Sequence, residues 1–167
     1  MSYNKGKISE GQLAQLFSIE ENHFNDFKSK DISGRQFSKI VSALANASGG
    51  DVYIGIREEN TTKLKHWEGF KNIEDANSLI QVVESLTSIE NYYDLEFLQH
   101  PVLMTYILKF TVFKTQSIIK ATDGKIYVRR GAQSLPVDTP EKLRRLELDK
   151  GISSFENEPV GESEVSD

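Results

Sequence analysis

Three carboxylates raise the first question of chemistry. Glu21 and Asp26 stand in the stretch Glu21-Asn-His-Phe-Asn-Asp26-Phe27-Lys28, and Glu58 follows an apolar run at residues 52–56. Strand side chains alternate between faces, so Asp26 and Lys28 point one way and Phe27 the other. If the three acids converge, they repel one another and must be protonated or hold a cation. Hard oxygen ligands select Mg²⁺ or Mn²⁺. Such an ion activates water and steadies charge on a phosphate in flight. The plainer alternative is a set of solvated strand-end acids paired with Lys28 and Arg57.

Two other stretches carry candidate chemistry. In Ala45-Asn46-Ala47-Ser48-Gly49-Gly50, small residues lead from a helix end into a buried strand. Neither GxxxxGK[ST] nor GxGxxG is present, so the glycine pair reads as a tight structural turn with Asn46 capping the helix, and no nucleotide cofactor is expected. In Tyr127-Val128-Arg129-Arg130-Gly131 the expectation is Val128 inward and Arg129 or Tyr127 outward, with Arg130 at the strand's end. Arginines on a strand edge suit phosphate, because the guanidinium fork pairs two oxygens. His23, His66 and His100 are scattered and are assigned no role. Trp67 and Phe70 are expected to pack beneath a loop rather than stack on a base.

Charge is unevenly distributed along the 167 residues. The formal net charge is −5. Five acids and no base follow Gly151: Glu156, Glu158, Glu162, Glu164 and Asp167. Residues 58–100 hold nine acids and three bases, whereas residues 109–145 hold nine bases and three acids. A locally basic face can bind phosphate on a chain that is acidic overall. At 38% hydrophobic and 27% charged residues the composition is that of a globular domain, and no apolar run reaches membrane-spanning length. The absence of cysteine excludes disulfides and thiolate metal sites and fits a cytoplasmic setting.

These residues need elements to position them. Ser9 with Gln12 opens a short helix. Residues 24–30 read as a strand. Ser33 caps a helix with Phe37, Ile40, Val41 and Leu44 on one face, ending at Gly49-Gly50. Residues 52–56 form a buried strand, and Asn72 with Asp75 starts a third helix. Residues 92–98 and 102–113 are strands. Asp123-Gly124 makes a hairpin turn between Ile118-Ile119 and residues 126–128. Thr139-Pro140 begins a last helix. The order predicts an α+β fold, a mixed, mostly antiparallel sheet packed with helices, over residues 1–155. Residues 156–167 read as an acidic linker or tail leading to a further C-terminal region.

Taken in order, Glu21-x4-Asp26-Phe27-Lys28, Val41-Ser-Ala-Leu-Ala-Asn46-x2-Gly49-Gly50, Tyr53-Ile-Gly-Ile56 and Ile126-Tyr-Val-Arg-Arg-Gly131 resemble the Schlafen-type Alba-like domain family. The resemblance runs from about Leu16 to Phe155. It implies an Alba-like fold and a nucleic-acid-binding module, for DNA or RNA, within a larger protein such as a transcriptional regulator. Lys28, Lys120, Arg129 and Arg130 are the expected contacts. The vertebrate Schlafen endoribonucleases have an active site at the positions of Glu21, Asp26 and Glu58, so the resemblance also implies an alternative, metal-dependent RNA cleavage with Mg²⁺ or Mn²⁺. Two residues depart from the family pattern: Asp26 stands where Glu is usual, and Glu58 where Asp is usual. The vertebrate enzymes join two lobes, so a single lobe implies a homodimer. ATP binding, attributed to some relatives, is a third reading that the missing phosphate loop opposes.

Overall fold

A computed structural model describes residues 3–152. The acidic stretch 156–167 lies outside the described residues. Strand β1 (Asn4–Lys7) leads into helix α1 (Glu10–Ser18). Ser9 Oγ accepts from the Gln12 amide and Gln12 Oε1 from the Ser9 amide, closing the capping box. Strand β2 (Asn25–Lys28) precedes α2 (Gly34–Ala45), whose first turn is capped by Ser33. Then come β3 (Gly50–Ile54), β4 (Ile56–Glu58), β5 (Lys65–Trp67) and a 3₁₀ turn (Ile73–Ala76) running into α3 (Asn77–Glu84). The chain continues through β6 (Tyr93–Gln99), β7 (Tyr106–Val112), β8 (Tyr127–Arg130) and β9 (Gln133–Pro136) to α4 (Pro140–Asp149). Thr139 caps α4, with Pro140 in its first turn.

The main sheet has the order β1-β6-β7-β3-β2. Its two central pairings, β6–β7 and β7–β3, are antiparallel, and the edge strands β1 and β2 run parallel to their neighbours. The small β4–β5 and β8–β9 sheets are antiparallel. The fold is therefore the expected mixed α+β. Helices α2 and α3 cover one face, burying Phe37, Val41, Leu44, Ile80 and Val83 against Val52, Ile54, Leu108 and Phe110. Leu44 and Ile54 are fully buried. Leu16 of α1 covers part of the other face with Phe27, Tyr53, Ile56 and Ile107.

Several elements differ from the sequence reading. The run 52–56 is not one strand. At Gly55, φ is +112°, and the chain leaves the main sheet for the β4–β5 hairpin. Trp67 lies on β5 rather than in a loop, and it donates to Thr105 Oγ1 at 2.9 Å. Residues 101–104 form the turn before β7, where the His100 imidazole accepts from the Val102 and Leu103 amides. Asp123-Gly124 does make a turn, but only the single bridge Lys120–Ile126 flanks it. Strand β8 pairs with β9 instead. The polar strand β1 is exposed along its whole length. No helix among the described residues is long and apolar enough to cross a membrane.

The glycine pair is the structural turn that the sequence suggests. A Cβ on Gly49 would lie 2.6 Å from the Val112 carbonyl oxygen, and one on Gly50 would lie 2.6 Å from that of Phe24. Backbone therefore packs on backbone there, with no room for a phosphate. Asn46 does more than end the helix. Its Nδ2 donates to the carbonyls of Ile119 and Tyr127, both at 2.9 Å, and its Oδ1 accepts from the Ile119 amide at 2.9 Å. One amide thus fastens the loop after β7 and the start of β8 onto α2. Lys150 fastens α4: its ammonium donates to the Ala45 and Thr115 carbonyls at 3.0 and 2.7 Å. Asn46→Ala should lower the unfolding free energy by about 2–5 kcal/mol, because each buried partner left unbonded costs about 1–3 kcal/mol. Urea unfolding checks this; a loss below about 0.5 kcal/mol would contradict the assigned role.

Candidate nucleic-acid interface

Strand β2 lies at the sheet edge, and its alternation sends Phe27 to the α1 side and Asp26 to the α2 side. Asp26 is 2% exposed. Arg129 reaches it from β8, Nη1 to Oδ2 at 2.8 Å, and Nη2 donates to the Asn22 and Asn25 carbonyls. Arg129 is itself 1% exposed. Tyr127 and Arg129 point inward, Val128 is half-exposed and Arg130 is exposed. This corrects the expectation that Val128 points inward with Arg129 at the surface. A guanidinium bonded in this way is not available to a phosphate. Its Nε has no hydrogen-bond partner.

Glu21 completes the network. Its Oε2 accepts from the Phe27 amide at 3.0 Å, and it shares a hydrogen bond with Asp26. Burial, followed by that bond, pushes the Glu21 carboxyl from the ordinary 4.5 up to about 7. Burial would also raise Asp26, but the bond with Glu21, the Lys28 ammonium and Arg129 together hold it below its usual range. Lys28 Nζ lies 2.9 Å from Asp26 Oδ1 and 3.8 Å from Glu21 Oε2. The Oδ1 contact is an ion pair without hydrogen-bond alignment, so that oxygen is left to accept a proton carried by Glu21. As pH falls below about 7 the pair therefore takes up one proton between two carboxyls, carried by Glu21. Lys28 is therefore engaged with both acids, with 37% of its side chain exposed.

Glu58 has a different partner. It sits across from Lys65 in the β4–β5 hairpin, with Nζ to Oε2 at 3.4 Å. The Lys65 ammonium also donates to the Phe17 carbonyl and lies 4.7 Å from the centre of the Phe27 ring, on the α1 side of β2. The structure thus joins Glu21 to Asp26 and pairs Glu58 separately. Among the described residues no three His, Cys, Asp or Glu side chains are grouped to hold a metal ion. The oxygens that Mg²⁺ or Mn²⁺ would need already face Arg129, Lys28 and Lys65. The residues as arranged do not fit a divalent ion.

The remaining expected contacts lie on the arm that follows β7. Lys120 is exposed at its bridge to Ile126. Arg130 borders a groove of about 360 Å³ between the β8–β9 hairpin and α4. Lys142 and Arg145 line the same groove, together with Glu141. Both cations belong to the basic block of residues 109–145, whose charge count alone places neither at a site. Their i, i+3 spacing on the Thr139-capped helix was the available signal, since it puts both on one face. Lys142 also pairs with Asp138 at 2.9 Å.

The proton on Glu21 has a measurable consequence. Unfolded Glu21 titrates near 4.5 and folded Glu21 near 7. In that window the folded state binds more protons, so this group's contribution to stability falls as pH rises. Glu21→Gln cannot titrate but can still donate to Asp26. The wild-type chain should lose urea midpoint between pH 5 and 8, and the variant should lose markedly less. Equal losses in the two proteins would refute the shared proton.

The family model described as Schlafen, AlbA_2 matches residues 21–138. No curated protein gives a match. Among solved structures, the chain is similar to the crystal structure of the DIP2311 protein from Corynebacterium diphtheriae. The TM-score is 0.54 at 17% identity, over 83% of this chain and 31% of that one. That likeness concerns the fold, and the chain spans about a third of the other protein's length. The family match runs from Glu21 at the carboxylate pair to Asp138 at the edge of the groove, taking in the Asn46 latch and the glycine turn; the chain belongs to the Schlafen AlbA_2 family.

Proposed function

We propose that this chain is a nucleic-acid-binding module of a larger protein, acting in the cytoplasm, that grips the sugar–phosphate backbone. One observation carries the reading. Arg130, Lys142 and Arg145 converge on one groove, on an arm outside the buried carboxylate network. Lys120 extends the basic surface, and Lys28 contributes through its exposed part. Such contacts position a nucleic acid without reading its sequence, and each neutralised phosphate releases counterions. A regulator of transcription is the role within the larger protein that this reading suggests, with DNA or RNA as the partner.

Fluorescence anisotropy with a labelled DNA duplex and an RNA hairpin tests it. Affinity should fall steeply with salt. Arg130→Ala should weaken all sequences about equally and lower the log–log salt slope by about one, with stability unchanged. A salt-independent affinity, or a change in sequence preference alone, would sink the reading. The closeness of Glu21 and Asp26, which share the Lys28 ammonium at 3.8 and 2.9 Å, supports a second reading, RNA cleavage. Running the same RNA on a gel after incubation with Mn²⁺ separates the two. Intact RNA is the result expected here, and cleavage that disappears in Glu21→Gln would establish an endoribonuclease instead.

A further inference from the structure

A phosphate backbone uses only part of the groove beside α4. With Arg129 held inward, strand alternation turns Val128 and Arg130 together to the other face of β8. Leu135 stands opposite Val128 on β9. On α4, the spacing of Glu141, Lys142, Arg145 and Leu146 brings all four to one side of the helix, and all four line the groove. Leu146 is 3% exposed, Val128 and Val137 are half-buried, and Leu135 is 40% exposed. The groove of about 360 Å³ thus has an apolar floor and a charged rim. A sugar–phosphate chain carries nothing apolar to cover that floor. Small-molecule sites combine such a lining with a few charged groups that fix orientation.

The rim specifies the charge of an occupant. Lys142 is engaged by Asp138 at 2.9 Å. Among the described residues, Arg130, Arg145 and Glu141 take part in none of the ion pairs. Arg130 Nη1 donates to the Arg129 carbonyl at 3.1 Å, which leaves its charge unbalanced. Two guanidinium groups against one carboxylate leave a single net positive charge, and one negative charge balances it. The guanidinium fork meets both oxygens of a carboxylate. The volume sets the size. At about 30 Å³ for each water-sized group, the groove holds roughly a dozen non-hydrogen atoms.

We propose that this groove is a binding site for a small organic monoanion with an apolar body, the size of a carboxylate of about ten carbons. Its charged end pairs with Arg130 and Arg145, and its body covers Val128, Leu135, Val137 and Leu146. Those two arginines are then closed to a phosphate backbone. Ligand and nucleic acid exclude one another, so the ligand acts as an effector that releases the nucleic acid. The exclusion rests on the nucleic-acid reading above, whereas the ligand site does not.

Decanoate is the probe, with butyrate and decylammonium as controls for body and for charge. Added to the full ¹⁵N-labelled chain, decanoate should shift the amides of Val128, Arg130, Leu135 and Leu146 saturably, with a Kd between about 10 μM and 1 mM. Butyrate and decylammonium should each bind at least about 10-fold more weakly. Leu135→Gln and Arg145→Ala, both at exposed positions, should each weaken decanoate about 2–10-fold. Shifts that do not saturate, that lie outside the groove, or that decylammonium reproduces overturn the site. So does a Kd that neither variant changes. At about ten times its Kd, decanoate should weaken binding of the DNA duplex about 3–10-fold, and an unchanged duplex affinity overturns the exclusion. If decanoate binds and no nucleic acid does, the proposed function fails and the ligand site stands. If the duplex binds and decanoate does not, the ligand site fails and the function stands.

Discussion

The buried pair of Asp26 and Arg129 is the interaction on which the rest of the site depends. Two charges taken out of water cost several kcal/mol each, and the cost is recovered only with good geometry and satisfied hydrogen bonds. Here the guanidinium meets one carboxylate oxygen and two backbone carbonyls, and Glu21 with Lys28 attends to the other oxygen. Removing one partner would strand the other, typically at about 3–5 kcal/mol. The pair ties β8 to the edge strand β2, across 103 positions of sequence. Strand alternation does the rest. With Arg129 held inward, Arg130 must face out, towards α4. One ion pair thus decides which of two adjacent arginines is structural and which is free to meet a ligand.

The second constraint is the short motif between α2 and β3. Gly49 and Gly50 let β3 pass under the backbones of Phe24 and Val112, which fixes α2 over the sheet. Asn46, three residues earlier, then reaches sideways to Ile119 and Tyr127. Its amide offers donors and an acceptor together, and the buried carbonyls and amide it meets need both. No apolar residue could occupy that position without leaving them unbonded. The motif therefore shapes the helix–strand turn and also positions the arm that carries the basic groove.

Where local rules dominate, the sequence was legible. Ser9, Ser33 and Thr139 each announced a helix through a cap, and the apolar spacing of α2 identified its core face. The turn at the glycines was also readable. What failed had a non-local cause. Arg129 looked like a surface arginine because charged side chains stay out unless paired, and its partner is far away in sequence. Val128 looked like the inward residue for the same reason. Strand β1 has no apolar alternation to detect, since it is held by backbone pairing with β6 alone. Gly55 divides an unbroken apolar run, and only its positive φ reveals that the chain changes sheets there. Lys65, buried under the Phe27 ring, takes Glu58 as its partner, a contact that the spacing of the three acids could not foretell.

The sheet also helps to decide where a polyanion can approach. On the face of β3, β7 and β6 that carries Tyr53, the register sets Glu96 beside Lys109 and Asp94 and Asp51 on either side of Thr111. Asp51 accepts from Thr111 at 2.7 Å. That patch therefore carries three carboxylates and one ammonium, and Asp94 and Glu96 are exposed. Phosphates are repelled there, and at physiological salt the repulsion fades within a Debye length of about 8 Å. The bases of residues 109–145 lie mainly on the arm and α4, which are fastened to α2 on the other side of the sheet. The chain's two charge blocks, opposite in sign and adjacent in sequence, thus end on largely separate surfaces. A net charge of −5 is compatible with the proposed binding of nucleic acid because the fold segregates its charges.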